Sequence, residues 1–144
     1  MDERSLRVLE YTKIVDMLEK KCVSSLGRKK TRSLKPTSHL STIKQLQQGT
    51  SEAQSILIKY DNVPLGGIND VLQHVRRTEI GSYLDPARLL QLKDTLSAAR
   101  RLKNFFKGKE DDEKNIYTII RGLIQNLTSL REIEDKIDLC IVSE

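Results

Sequence analysis

The stretch from Asp85 to Phe106 constrains the fold of this chain more than any other. Asp85 precedes Pro86, the pairing of an N-cap with a first helical residue at which proline's missing N–H costs nothing. No helix breaker follows until Gly108. In between, Leu89, Leu92, Leu96, Ala99, Leu102 and Phe106 recur every three or four residues, laying one apolar stripe along a helix of about 22 residues, or about 33 Å. Arg88, Lys93, Asp94, Arg100, Arg101 and Lys103 fall mainly on the other faces. A helix of this length stays ordered only by burying its stripe against other helices. The sequence therefore predicts a mainly α, multi-helix bundle with this helix as its long central member.

The segments before it follow the same period. Leu6 to Tyr11 alternates apolar and polar residues and is too short to choose between a strand and an irregular pad. Thr12 is a fair N-cap for a helix whose stripe is Ile14, Val15, Leu18 and Cys22. Between Leu26 and Leu34 lies a short, strongly basic helix, ended by Pro36 because Lys35 is pushed out of the α region. Ser38 can cap the next helix, with Leu40, Ile43, Leu46, Ala53 and Leu57 inward and Gly49 weakening its middle. The clearest break is Asp61-Asn62-Val63-Pro64-Leu65-Gly66-Gly67, where a proline and two glycines let the chain reverse sharply and approach another backbone closely. Ile68, Val71, Leu72 and Val75 form a short helix closed by Gly81.

Beyond the central helix, residues 107–114 read as a charged, solvated and mobile loop. Ile116, Ile119, Ile120, Leu123 and Leu127 make another amphipathic helix. Ser129 and Glu132 have capping-box spacing and open a last helix through Leu130, Ile133, Ile137 and Ile141. Leu139, Cys140, Ile141 and Val142 are four consecutive apolar residues that one seam cannot bury, so self-association or frayed final turns are expected there.

Chain length suits one helical domain spanning residues 1–144 that needs no disulfide or metal staple. Cys22 and Cys140 lack C-x-x-C spacing and continue apolar stripes, which predicts buried thiols in a reduced intracellular protein. No segment has the apolar core of a signal peptide or the length of a membrane span, so a cytoplasmic protein without a membrane partner is expected. His39 and His74 have no neighbours at metal-ligand spacing, and the Gly66-Gly67 turn lacks a phosphate-loop pattern. The acidic pairs around Glu132 and Glu134 lie beside Arg131 and Lys136 as ordinary surface pairs. Hence no catalytic, cofactor-binding or metal-binding residue is expected in this chain.

What remains is charge. The net charge is +5, and Arg28, Lys29, Lys30, Arg32 and Lys35 concentrate it in eight positions. Arg28, Arg32 and Lys35 are spaced four and three apart and can share one helical face, which suffices for phosphate contact without any aromatic platform. A solvated face, or pairing with acidic segments of the same chain, accounts for the cluster equally simply.

Taken together, Leu6-Arg7-Val8-Leu9-Glu10-Tyr11-Thr12-Lys13-Ile14, Ser25-Leu26-Gly27-Arg28, Leu34-Lys35-Pro36, Pro64-Leu65-Gly66-Gly67-Ile68 and Ala98-Ala99-Arg100-Arg101-Leu102 resemble the start of the second bacterial MutS paralogue. That family joins a MutS-like ATPase to a C-terminal small MutS-related nuclease domain. The resemblance covers essentially the whole chain in order. The core-like sequence starts within a few residues of Met1, which leaves no room for the mismatch-reading domain of true MutS. The resemblance implies the first part of a helical core and lever domain, an N-terminal fragment lacking the ATPase, clamp and nuclease domains. It further implies ATP and magnesium in the full-length protein, a homodimer, and targets among branched DNA, in recombination suppression, and collided ribosomes. Lys29-Lys30-Thr31 and residues 107–114 depart from the family pattern. The leading expectation is a structural and coupling module of a nucleic-acid-acting ATPase; the alternatives are a free-standing helical adaptor for a protein partner and a direct nucleic-acid-binding domain.

Overall fold

The structure, a computed structural model, describes residues 3–107, 109 and 117–141. The described residues form helices α1 Glu3–Val8, α2 Tyr11–Lys21, α3 Ser25–Arg32, α4 Leu40–Lys59, α5 Leu72–Glu79, α6 Pro86–Lys107, α7 Thr118–Gln125 and α8 Arg131–Cys140, with no strand among them. The fold is mainly α, as the apolar periodicity requires. The expected loop at 107–114 lies almost wholly outside the described residues, as do Ile116 and Val142.

Helix α6 starts where its residues dictate. Asp85 Oδ1 accepts the backbone N–H of Arg88 at 2.9 Å, which satisfies one of the donors that every helix start leaves over. Its most enclosed side chain is Ala98, 1% exposed. Both α7 and α8 pack on this helix, and the turn at Gly67 closes against it. Gly67 has φ 86°, and a Cβ there would stand 3.5 Å from the Asp94 carbonyl oxygen and 3.7 Å from Ala98 Cβ. The small residue and the positive φ thus serve one purpose, a close approach of turn to helix. Asn69 N–H donates to Thr95 Oγ1 at 3.0 Å and Arg101 Nη2 to the Gly66 carbonyl at 3.2 Å, fixing the turn from both sides.

Helix α4 buries a different face from the one its leucines suggest. Leu40, Leu46 and Leu57 are exposed, whereas Glu52 and Ile56 are buried and Gly49 lies between. The reason is α7, which packs on this face. A Cβ at Gly49 would stand 3.3 Å from Ile119 Cγ2, so the glycine is what admits α7 at this distance. Glu52 turns inward because its carboxylate accepts the N–H groups of Ile119 and Ile120 at 2.9 Å each, while Gln48 Nε2 donates to it at 2.9 Å. A buried carboxylate is tolerated when such donors replace water.

On α8 the expected capping box does not form. Leu130 occupies the N-cap with no side-chain hydrogen bond, and Ser129 is exposed. The helix is held instead from its side, by Glu134 paired with Arg100 of α6 and by Asp138 paired with Lys93. Because α8 packs on α6 alone among the stronger helix pairings, it covers Glu134 and Ile137 and leaves Ile133, Leu139 and Cys140 exposed. The expected burial of Cys140 is therefore incorrect. Cys22 is half-buried, 3.2 Å from Thr31 Oγ1 in the α2–α3 hairpin.

The lead-in is a helix, α1, and neither a strand nor a pad. Glu3 in its first turn and Arg7 in its last complement the helix dipole, and α1 packs on α2. Helix α2 packs on both α1 and α3, while α7 packs on α4 and α6 and α8 packs on α6. The chain exposes 11418 Å², against about 7,600 Å² for a compact monomer of its mass. Only Ile56, Ala98, Ile124 and Ile137 are buried hydrophobic residues among the described residues, and Met17, Ile58, Ile80 and Leu139 each stand more than three-fifths exposed.

Candidate nucleic-acid interface

The orientation of the basic helix follows from its small residues. Ser24 Oγ accepts the Gly27 N–H at 3.0 Å, a side-chain cap that starts α3 beside the end of α2. A Cβ on Gly27 would stand 3.1 Å from Ser24 Oγ and 3.6 Å from Cys22 Cβ, so this position faces inward. Four residues on, Thr31 is 6% exposed. Gly27 and Thr31 thereby take the inner face, and Arg28, Lys29, Lys30 and Arg32 are left on the exposed ones.

The five cations separate into two sets. Arg32 Nε donates to Glu19 Oε2 of α2 at 2.8 Å, and Lys29 Nζ to Asp70 Oδ2 at 3.1 Å. The hydrogen bond from Arg32 lowers the pKa of the Glu19 carboxyl, against the opposing effect of desolvation and with help from the charges of Arg32 and Arg28. Asp70 is lowered in the same way, chiefly by Lys29. Arg28, Lys30 and Lys35 make no ion pair among the described residues.

Lys35 is not on the helix. Helix α3 ends at Arg32, and residues 34–39 carry no regular structure, so the shared face expected of Arg28, Arg32 and Lys35 reduces to Arg28 and Arg32. Those two line a shallow depression of about 380 Å³ with Lys29, Ser25 and Glu19, three cations around one carboxylate. A phosphate group would meet net positive charge there, with Glu19 holding the guanidinium of Arg32 in place.

How the cluster is tied to the rest of the chain is visible only in the folded structure. Lys29 reaches Asp70, the neighbouring Asn69 N–H reaches Thr95 Oγ1, and Thr95 Oγ1 donates to Gln91 O within α6. The basic helix is in this way linked to the long helix through one turn. Lys29 and Asp70 are 41 residues apart, beyond the reach of any periodicity argument. Among the described residues no group of three His, Cys, Asp or Glu side chains could hold a metal ion, and no helix is long and apolar enough to cross a membrane.

No family model matches the chain. Its full length is 62% identical to an endonuclease MutS2 of Alkaliphilus oremlandii and 56% identical to one of Alkaliphilus metalliredigens. A third such protein, from Clostridioides difficile, is 46% identical over the same 144 residues. In each case the match falls in the N-terminal 18% of the relative, so the chain spans less than a fifth of the length of these curated relatives.

Proposed function

The chain belongs to the endonuclease MutS2 family, matching the N-terminal segment of its members from end to end, and from that premise we propose that it is a structural and coupling module of a DNA-binding ATPase and endonuclease. In this reading the full-length protein is a cytoplasmic homodimer that uses ATP and magnesium. It acts on branched DNA to restrain recombination and, in ribosome-associated members, on collided ribosomes through rRNA. The present segment passes mechanical state between a nucleic-acid-facing end and the ATPase. The full-length match to the endonuclease MutS2 relatives carries the proposal.

The path from Lys29 through Asp70 and Thr95 into α6 supports a coupling role, because polar contacts that can be made or broken as a unit are a physical means of joining two sites. A chimera tests it: this chain replaces the matching segment of the Clostridioides difficile relative. The chimera should retain ATP hydrolysis and its response to branched DNA. Asp70→Ala with Thr95→Val should blunt that response while DNA affinity and basal hydrolysis persist. An unaltered response in the double variant defeats the coupling role.

The free-standing adaptor remains the second reading, because the exposed apolar residues of α2 and α4, among them Ile14, Met17, Leu57 and Ile58, suit a protein partner. A chimera that folds but is indifferent to every change within the segment favours it.

A further inference from the structure

Among the described residues α5 makes none of the stronger helix pairings; it is fastened through the turn before it, by Lys29 to Asp70 and by the Asn69 N–H to Thr95. An open groove of about 660 Å³ is left between α5 and the basic helix α3. Leu26 of α3, Val71, and Leu72 and Val75 of α5 line it, and all four stay at least partly exposed. Lys29 and Lys30 belong to its α3 side, and its carboxylate, Asp70, is already paired with Lys29. The lining thus combines apolar surface with net positive charge. It contains no aromatic ring on which a nucleic-acid base could stack. Such a groove suits a helix that presents an apolar anchor beside a carboxylate.

The chain itself carries a helix of that chemistry. Helix α8 is held on α6 by its inner face, through Glu134 to Arg100 and Asp138 to Lys93, with Ile137 buried. Glu132, Asp135 and Leu139, spaced three and four apart, share the opposite face, and all three are exposed. Asp135 lies 3.8 Å from Arg131, an exposed pair of the kind that contributes little and can be exchanged. Because α8 is fastened by its inner face, this outer face is presented to other molecules. The spacing also matches: Leu26 and Lys30 are four apart on α3, as Asp135 and Leu139 are on α8, about 6 Å along each helix. Laid antiparallel, the two helices bring leucine to leucine and carboxylate to ammonium at once.

We propose that α8 of one copy of this chain docks in the α3–α5 groove of a second copy, with Leu139 as its apolar anchor and Asp135 as the partner of Lys30. A reciprocal exchange closes a two-fold dimer, and a one-way contact makes a chain of copies. The contact does not rest on the coupling role, which survives its loss.

The test is sedimentation velocity of the chain from micromolar to millimolar concentration, at low and high salt. Association should appear and should weaken as salt screens the Asp135–Lys30 contact. Lys30→Glu and Asp135→Lys should each raise the dissociation constant at least about tenfold, and so should Leu139→Ala. These side chains are exposed, so circular dichroism should show all three variants folded. An equimolar mixture of Lys30→Glu with Asp135→Lys should recover the association that each loses alone, because opposite charges then meet in both contacts. A strict monomer overturns the proposal. So does association that both charge variants leave unchanged, or a mixture that associates no better than its components. A monomer that instead binds an added acidic, leucine-bearing helical peptide in the groove overturns it too, and assigns the groove to a different protein.

Discussion

Glu52 accepts the backbone N–H of Ile119 at 2.9 Å across 67 residues of chain, and so supplies from α4 the cap that α7 lacks in its own sequence. Tyr117, at the N-cap position, makes no side-chain hydrogen bond to α7. The same carboxylate takes the Ile120 N–H, and both amides lie in the first turn, where an anion also meets the positive end of the helix dipole. One buried acid thereby joins two helices that apolar contact alone would hold weakly.

Replacing it should be costly in a specific way. Glu52→Ala leaves two helix-start amides without their acceptor and the Gln48 amide with Thr118 Oγ1 alone, for an expected loss of about 2 kcal/mol. Glu52→Gln keeps one carbonyl acceptor and should lose about half of that. Thermal unfolding followed by circular dichroism compares the two, and equal stability of all three chains would contradict the cap.

Acid should unfold the chain from the same points. Burial raises the Glu52 pKa, but the Ile120, Gln48, Ile119 and Thr118 hydrogen bonds outweigh it and bring the pKa below the ordinary 4.5. Glu134 is lowered too, chiefly by its hydrogen bond from Arg100, which donates through Nε at 3.0 Å and Nη2 at 2.8 Å. A carboxylate with a depressed folded pKa gives stability that is fully present above 4.5 and is lost as pH falls through the folded pKa, because the unfolded chain binds the proton first. Denaturant midpoints should hold between pH 7 and 5 and fall below about 4.5, with a shallower fall in Glu134→Gln. An identical acid profile in that variant would refute the assignment.

The adjacent glycines give an internal control. Gly67→Ala must place a Cβ at φ 86° and 3.2 Å from Arg101 Nη2, which should cost about 1–3 kcal/mol. Gly66 has no atom within 4 Å of its would-be Cβ and no positive φ, so Gly66→Ala should be nearly neutral. Chemical denaturation of both variants checks this, and equal effects would remove Gly67 from the account of the turn.

Nucleic-acid contact by the α3 cluster should be weak and salt-sensitive. Three to five phosphate contacts give a log–log salt slope of about −2.7 to −4.5 on double-stranded DNA. Arg28→Glu, Lys30→Glu and Lys35→Glu leave the Glu19 and Asp70 pairs in place and should abolish the binding without loss of helicity. Fluorescence anisotropy across a salt series reads both, and salt-independent binding would show that the cluster is only a solvated face.

Uncovered apolar surface should make the chain associate. Leu139 is 83% exposed and Ile58 77% exposed, on helices whose other faces are packed. Light scattering over a concentration series should show self-association that Leu139→Lys with Ile58→Lys reduces. A strict monomer at every concentration would count against it.

The sequence by itself determined the helices whose signals are local. Asp85-Pro86 started α6 at the expected residue, and the two glycines after Pro64 marked a turn that Gly67 makes against Asp94 and Ala98. Such features follow from backbone sterics and from hydrogen bonds a few residues long, both of which composition and spacing encode. Which face each helix buries was decided only by tertiary structure. Leu46 and Leu57 are exposed because α7 packs on the side that carries Gly49, Glu52 and Ile56, and periodicity cannot see that a carboxylate will be needed there to cap a distant helix. The candidate interface divides in the same way. The sequence located the five cations by density alone, whereas the folded chain assigned Arg32 to Glu19 and Lys29 to Asp70 and set Lys35 beyond the helix end. Ion pairing depends on which carboxylates folding brings within about 4 Å, and no one-dimensional pattern records that distance.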